Sequence, residues 1–182
     1  VVDHEGEFYK IRGGQLWPKP IQRPRPKIVF GGVGFKAMEL AKHTDGWVAP
    51  PLNADDLKQR ISMFNEWGIN PNEFEVIYEF FTSVDTSRES AYERSKDSLE
   101  RWFGDPLPEI LAYDTRVQLP HGISVRYGAI VGSVEDCVDG VVKFAKAGVN
   151  HFELHFMPLE DSMDGTNLYS QKVIPLVNEQ LE

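Results

Sequence analysis

Four short segments with strand character, at residues 28–30, 46–49, 74–81 and 151–156, are each followed by a stretch of helical periodicity. That alternation constrains the fold more than any other feature. It implies parallel strands joined by right-handed crossovers, with helices laid against the sheet. Ile28-Val29-Phe30 leaves a proline-rich lead as an apolar run, as a strand buried on both faces does. Gly31, Gly32 and Gly34 then form a turn in which no Cβ blocks a close approach. A helix is expected from about Val33, with Phe35, Met38 and Ala41, or Ala37 and Leu40, as its buried stripe. Its free N–H groups would make an anion site. Two readings of this turn stay open: a phosphate cradle at the C-terminal end of a strand, or a turn that only packs helix on strand.

The other units follow the same logic. Asn53 is a good N-cap, with Asp55 and Asp56 in the first turn, and Leu57, Ile61, Phe64 and Trp67 recur at helical spacing before Gly68 stops the helix. The strand at 74–81 carries Glu75 and Glu79 on one face. In a barrel that face meets the lumen, where a carboxylate can serve chemistry; contact with solvent or pairing with arginines is the preferred reading. A helix over about 86–103 places Tyr92, Ser95, Leu99 and Trp102 on one side. Ser133 to Asp136 resembles a capping box, and Val134, Cys137, Val138, Val141, Phe144 and Ala145 form the next apolar stripe. His151, Glu153 and His155 alternate onto one face of the last strand. That spacing could hold a metal, but it is no recognised zinc pattern, so a polar pocket or barrel rim is preferred and no metal is expected. A last helix runs from about 166 to 181.

The chain of 182 residues reads as a single domain over 1–182, with an extended lead-in arm at 1–27 and an irregular insertion at 104–130. The arm holds a short strand around Glu7–Ile11, ending at Gly13-Gly14, then Pro18, Pro20, Pro24 and Pro26. His121 lies in the insertion and is read as a solvated loop residue before a ligand contact. A net charge of −9 argues against nucleic acid or an anionic membrane as partner, since both need a positive surface. No apolar run is long enough for a membrane span. The lone Cys137 excludes an internal disulfide and is expected in the core, with the cytoplasm as compartment. Val1 to Glu5 is no signal peptide, and a first residue other than Met points to a chain that begins inside a longer protein or has lost a start. Four parallel strands alone would leave two open edges and one bare face.

The run from Gln22 to Gly34, with Ala41 to Trp47, resembles the luciferase-like monooxygenase superfamily. So do Val131 to Asp136 with Ala147 to Leu154, and the opening Gly6-Glu7-Phe8-Tyr9. The resemblance implies a parallel (βα) barrel of TIM type, of which this chain would be about the last four β-α units of eight. It implies FMN or the deazaflavin coenzyme F-420 at the C-terminal face of the strands, and hydride transfer or oxygen activation on a small-molecule substrate. Gly31, Gly32 and Gly34 would then give backbone donors to the cofactor phosphate, with Val33 and Phe35 beside them and Val48, Ala49 and Pro50 near the cofactor tail. No residue matches a catalytic motif; Glu79, His121 and His155 are the pocket-lining choices. Either the chain is a fragment of a longer enzyme, or two half barrels pair as a homodimer through their open edges. The alternatives are a non-catalytic, self-associating half-barrel domain, or another phosphate-binding barrel enzyme such as one acting on a sugar phosphate.

Overall fold

The computed structural model describes residues 1–32, 34–49, 52–111, 116–118, 124–126 and 128–182; for Glu109 and the segments 116–118 and 124–126 only the backbone is described. The chain opens with a hairpin. Strand β1 (Val2–Glu5) runs antiparallel to β2 (Lys10–Gly14), outside the main sheet. The sequence reading put a strand at Glu7–Ile11. Instead the Gly6 N–H donates to the Tyr9 carbonyl at 2.9 Å, and this turn leaves Glu7 and Phe8 at the hairpin tip.

The β-α units then follow. Strand β3 (Val29–Gly31) leads to helix α1 (Phe35–Ala41), β4 (Gly46–Ala49) to α2 (Ala54–Glu66), and β5 (Glu75–Val84) to α3 (Arg88–Phe103). The segment read as an insertion holds helix α4 (Leu107–Leu111) and the antiparallel pair β6 (Arg116–Gln118) and β7 (Ser124–Arg126). After it come β8 (Ala129–Gly132), α5 (Val134–Ala147) and β9 (His151–Phe156). A 3-10 turn (Leu159–Asp161), α6 (Ser162–Leu168), a π turn (Tyr169–Val173) and α7 (Ile174–Leu181) end the chain. The single final helix expected is thus interrupted, and Pro175, which has no N–H to give, lies just past the π turn.

Strands β3, β4, β5 and β9 are parallel and pair in that order. Tyr78 is partnered by Ala49 and Phe152, and Thr82 by Ile130 and Phe156. Strand β9 therefore follows one edge of β5, while β4 and then β8 share the other. β8 is a fifth parallel strand that the sequence reading lacked. Its four residues, Ala-Ile-Val-Gly, are too short and too uniform to show a period. Asn150 locks the β5–β9 register: its side chain accepts from Val76 N at 2.8 Å and donates to Phe74 O at 2.9 Å. Asp45 does the same for β3, accepting from Ile28 N at 2.7 Å and pairing with Arg25, which holds its carboxyl below the usual range.

Alternation along β5 divides the core. Val76, Tyr78 and Phe80 join Trp47, Leu57, Phe64, Val138 and Phe144 in the main cluster under α2, α5 and α7. Phe81 turns the other way and packs on a second cluster of Leu99, Ile110, Ala129 and Val131. Cys137 is buried, as expected, and burial pushes its thiol up to about 11. Phe35, expected in the buried stripe of α1, and Trp102, expected on one side of α3 with Leu99, are both exposed. Phe35 is 54% exposed, its ring edge-on to Trp67, and Trp102 is 66% exposed in the last turn of α3. Met38 and Ala41 carry the α1 stripe; Ala91, Ser95 and Leu99 carry that of α3.

The helix starts are capped as read. Asn53 accepts from Asp56 N, and Ser133 and Asp136 form a reciprocal capping box. Asp136 also pairs with Arg88 at the start of α3. The Arg88 hydrogen bonds foremost, with those from Ser133, hold the Asp136 carboxyl down at about 2. A lowered folded value gives stability that is present above 3.8 and is lost as pH falls toward 2. Asp136→Asn should therefore cost about 1 kcal/mol at neutral pH, and flatten the acid limb of a urea-melt series below pH 4. An unchanged acid limb would remove Asp136 as its cause.

Candidate functional site

Two features share the face of the sheet opposite the main helix cluster. The first is the glycine turn. Gly31 ends β3 level with Val48 of β4, and Val48 is level with Ile77 of β5. Among the described residues a Cβ on Gly31 would meet only the Val48 Cβ, at an ordinary 3.7 Å, so they leave the turn open to approach there. Gly32 has a different constraint. Its φ is +154°, and a Cβ would stand 2.5 Å from the Ala37 Cβ. Trp47 Nε1 also donates to the Gly32 carbonyl at 3.0 Å. The packing role weighed for the turn is thus present at Gly32. Among the described residues no side chain caps α1, whose first carbonyl, Gly34 O, accepts from Ala37 N and Met38 N. Ala49 points into the main core, away from the turn's open face. Val33 and Pro50 lie outside the described residues.

The second feature is a group of three side chains. Glu79 and Glu153 are Cα partners across β5 and β9, so their carboxylates leave the same face side by side. His155 is one same-face step further along β9. Ligand atoms of all three lie within 4.8 Å of one another, with His155 Nε2 2.8 Å from Glu79 Oε1. That contact lacks hydrogen-bond angles, and Nε2, closed off from solvent, has no hydrogen-bond partner. Glu75, by contrast, pairs with Lys27 at 2.5 Å. Two of the pocket-lining choices, Glu79 and His155, thus come together, and the third, His121, lies outside the described residues. Of the expected face trio His151, Glu153 and His155, the last two stay in the group and Glu79 takes the place of His151. The missing signal was the adjacency of β5 and β9, which no local pattern encodes.

Strand geometry sets Gly31 and Glu79 roughly 12 Å apart, two strands across and two residues along. Beside His155 a groove of about 490 Å³ runs between α3 and the end of β9, lined by Phe81, Trp102, Met157 and Leu159 with Arg101 and Glu160.

A model of the luciferase-like monooxygenase family matches residues 1–151. The chain belongs to that family. An FMNH2-dependent dimethylsulfone monooxygenase of Pseudomonas putida is 40% identical over 42 residues, 23% of this chain and 12% of that one. The coenzyme F-420 dependent tetrahydromethanopterin reductase of Methanopyrus kandleri superposes with a TM-score of 0.71 at 19% identity, over 96% of this chain and 57% of the other. An F-420-dependent secondary alcohol dehydrogenase, solved with an F-420-acetone adduct, gives 0.64 at 22% identity, over 97% and 56%. This luciferase-like chain thus spans about half the length of the solved structures it matches. Its fold is the partial TIM-type barrel that the alternating units imply. No described helix is long and apolar enough to cross a membrane.

The two glycines should respond differently to a methyl group. Gly32→Ala meets Ala37 and should lose roughly 1–3 kcal/mol of stability. Gly31→Ala should stay within about 0.5 kcal/mol of the parent. Equal losses in urea melts would contradict the packing described at Gly32.

Proposed function

We propose that this chain is the cofactor-phosphate half of a luciferase-like oxidoreductase that takes FMN or coenzyme F-420 at the glycine turn. The observation that carries the reading is the start of α1 beside Gly31, which among the described residues has no side-chain cap and where a Cβ would meet none of their atoms closer than 3.7 Å. Backbone N–H groups at such a place fit a phosphate without a competing side chain. Gly31, Gly32 and Gly34 would hold the phosphate, flanked by Phe35, with Val48 along the cofactor tail. When bound, the flavin or deazaflavin supplies the hydride chemistry, and the protein supplies position and shelter from water. The cofactors of the similar proteins, F-420 and FMNH2, support this class.

A half barrel leaves the opposite wall of the site to be supplied. Strands β3 and β9 each pair on one side only among the described residues. A second copy, turned by a two-fold axis along the barrel, would set β9 of each chain parallel to β3 of its partner and make eight strands from four and four. The groove beside His155 would then take the small-molecule substrate.

Titration with FMN and with F-420, followed by fluorescence and by light scattering for mass, tests this reading. Saturable binding by a dimer is the expected result. Gly31→Asp places a negative charge in the cradle and should weaken binding by at least about tenfold. Undiminished affinity in that variant would remove the cradle. Competition by ribose 5-phosphate but not by flavin would make the chain a sugar-phosphate enzyme instead.

A further inference from the structure

The geometry points to a divalent transition-metal site made by Glu79, Glu153 and His155 on the open face of the sheet. It is independent of the cofactor reading, since none of the three belongs to the glycine turn. Register, not chance proximity, assembles the site. Glu79 and Glu153 stand opposite one another on adjacent parallel strands, and His155 follows on the same face, so the backbone ladder itself fixes three donors. Their ligand atoms already lie within 4.8 Å of one another. A tetrahedral zinc with bonds of about 2.0–2.2 Å needs donors about 3.4 Å apart, which small side-chain rotations provide.

Two further observations favour a cation over a plain side-chain cluster. Facing carboxylates repel across a strand pair, yet among the described residues no lysine or arginine pairs with Glu79 or Glu153, although Lys27 does pair with Glu75 four residues before Glu79. Among the described residues the one basic side chain in contact with the pair is His155, at Glu79, itself a candidate ligand. In addition, Nε2 of His155 is out of solvent and makes no hydrogen bond, which is a cost a metal–nitrogen bond would remove. The donor set selects the class of ion. Imidazole with carboxylates and no thiolate suits Zn²⁺, Mn²⁺ or Fe²⁺ more than Cu⁺, and a nitrogen ligand disfavours Mg²⁺ and Ca²⁺. Glu153 is exposed, so water or a substrate oxygen has access to the remaining positions.

Isothermal titration calorimetry of the chain with Zn²⁺ and with Mn²⁺, each paired with thermal melts, tests the site. One equivalent should bind per chain, and Tm should rise with metal concentration because the ion removes the repulsion between β5 and β9. Glu153→Gln, exposed and nearly isosteric, should weaken Zn²⁺ binding by at least about tenfold. His155→Ala should abolish it. His151→Ala, on the same face but outside the group, should bind as the parent does. No saturable binding in the parent would overturn the proposal, and so would parental affinity in Glu153→Gln. Loss of binding in His151→Ala alone would place the metal elsewhere and overturn it too.

Discussion

The hydrogen-bond ladder along β5 is the interaction on which the rest of the structure depends. Strand β5 is partnered by β4 and β8 on one edge and by β9 on the other. Its alternation also decides what each face becomes. Tyr78 and Phe80 seal the helix-covered core, while Glu79 and Phe81 turn to the opposite face. A slip of one residue would exchange the two sets and bury carboxylate among aromatic rings. Asn150 resists that slip by bonding to the backbone of β5 on both sides of Glu75. The side chain that closes the ladder thus also sets the pairing of Glu79 with Glu153.

The physical consequence of a half barrel follows from the same ladder. A closed barrel has no edges, whereas among the described residues this sheet ends at β3 and β9. Beyond β9 an apolar groove of about 490 Å³ is lined by Phe152, Leu154, Phe156, Val173 and Val177. Next to an unpaired strand, such a groove is the place where a further β-α unit would pack. The glycine turn and the Glu79–Glu153–His155 group both lie on the face that barrel closure would make interior. Closure would therefore enclose both groups on one surface.

Much of this was legible in the sequence because it depends on local rules. The caps at Asn53 and Ser133, the glycine stop at Gly68 and the parallel sheet implied by alternating units all rest on neighbours a few residues apart. The family blocks added the order of the units. What was not legible depends on distant contacts. Glu79 and His155 meet only because β5 and β9 are adjacent, and a periodicity cannot say which strands are neighbours. Helical spacing put Trp102 in line with Leu99, but not that the last turn of α3 runs beyond the buried core and leaves the indole exposed. The sequence leaves Gly32 open between a phosphate cradle and a packing turn, and the position of Ala37 reveals its packing constraint.

Amide hydrogen exchange, followed by NMR across a concentration series with mass measured in parallel, tests the half-barrel account most directly. In a dilute monomer, β5 amides from Tyr78 to Thr82 should be the most protected, and alternate amides on the free edges of β3 and β9 should exchange rapidly. Those edge amides should become protected together as the mass doubles. Edge amides of β3 and β9 as protected as β5 in a monomer would contradict the account, as would a dimer that leaves both edges exchanging freely.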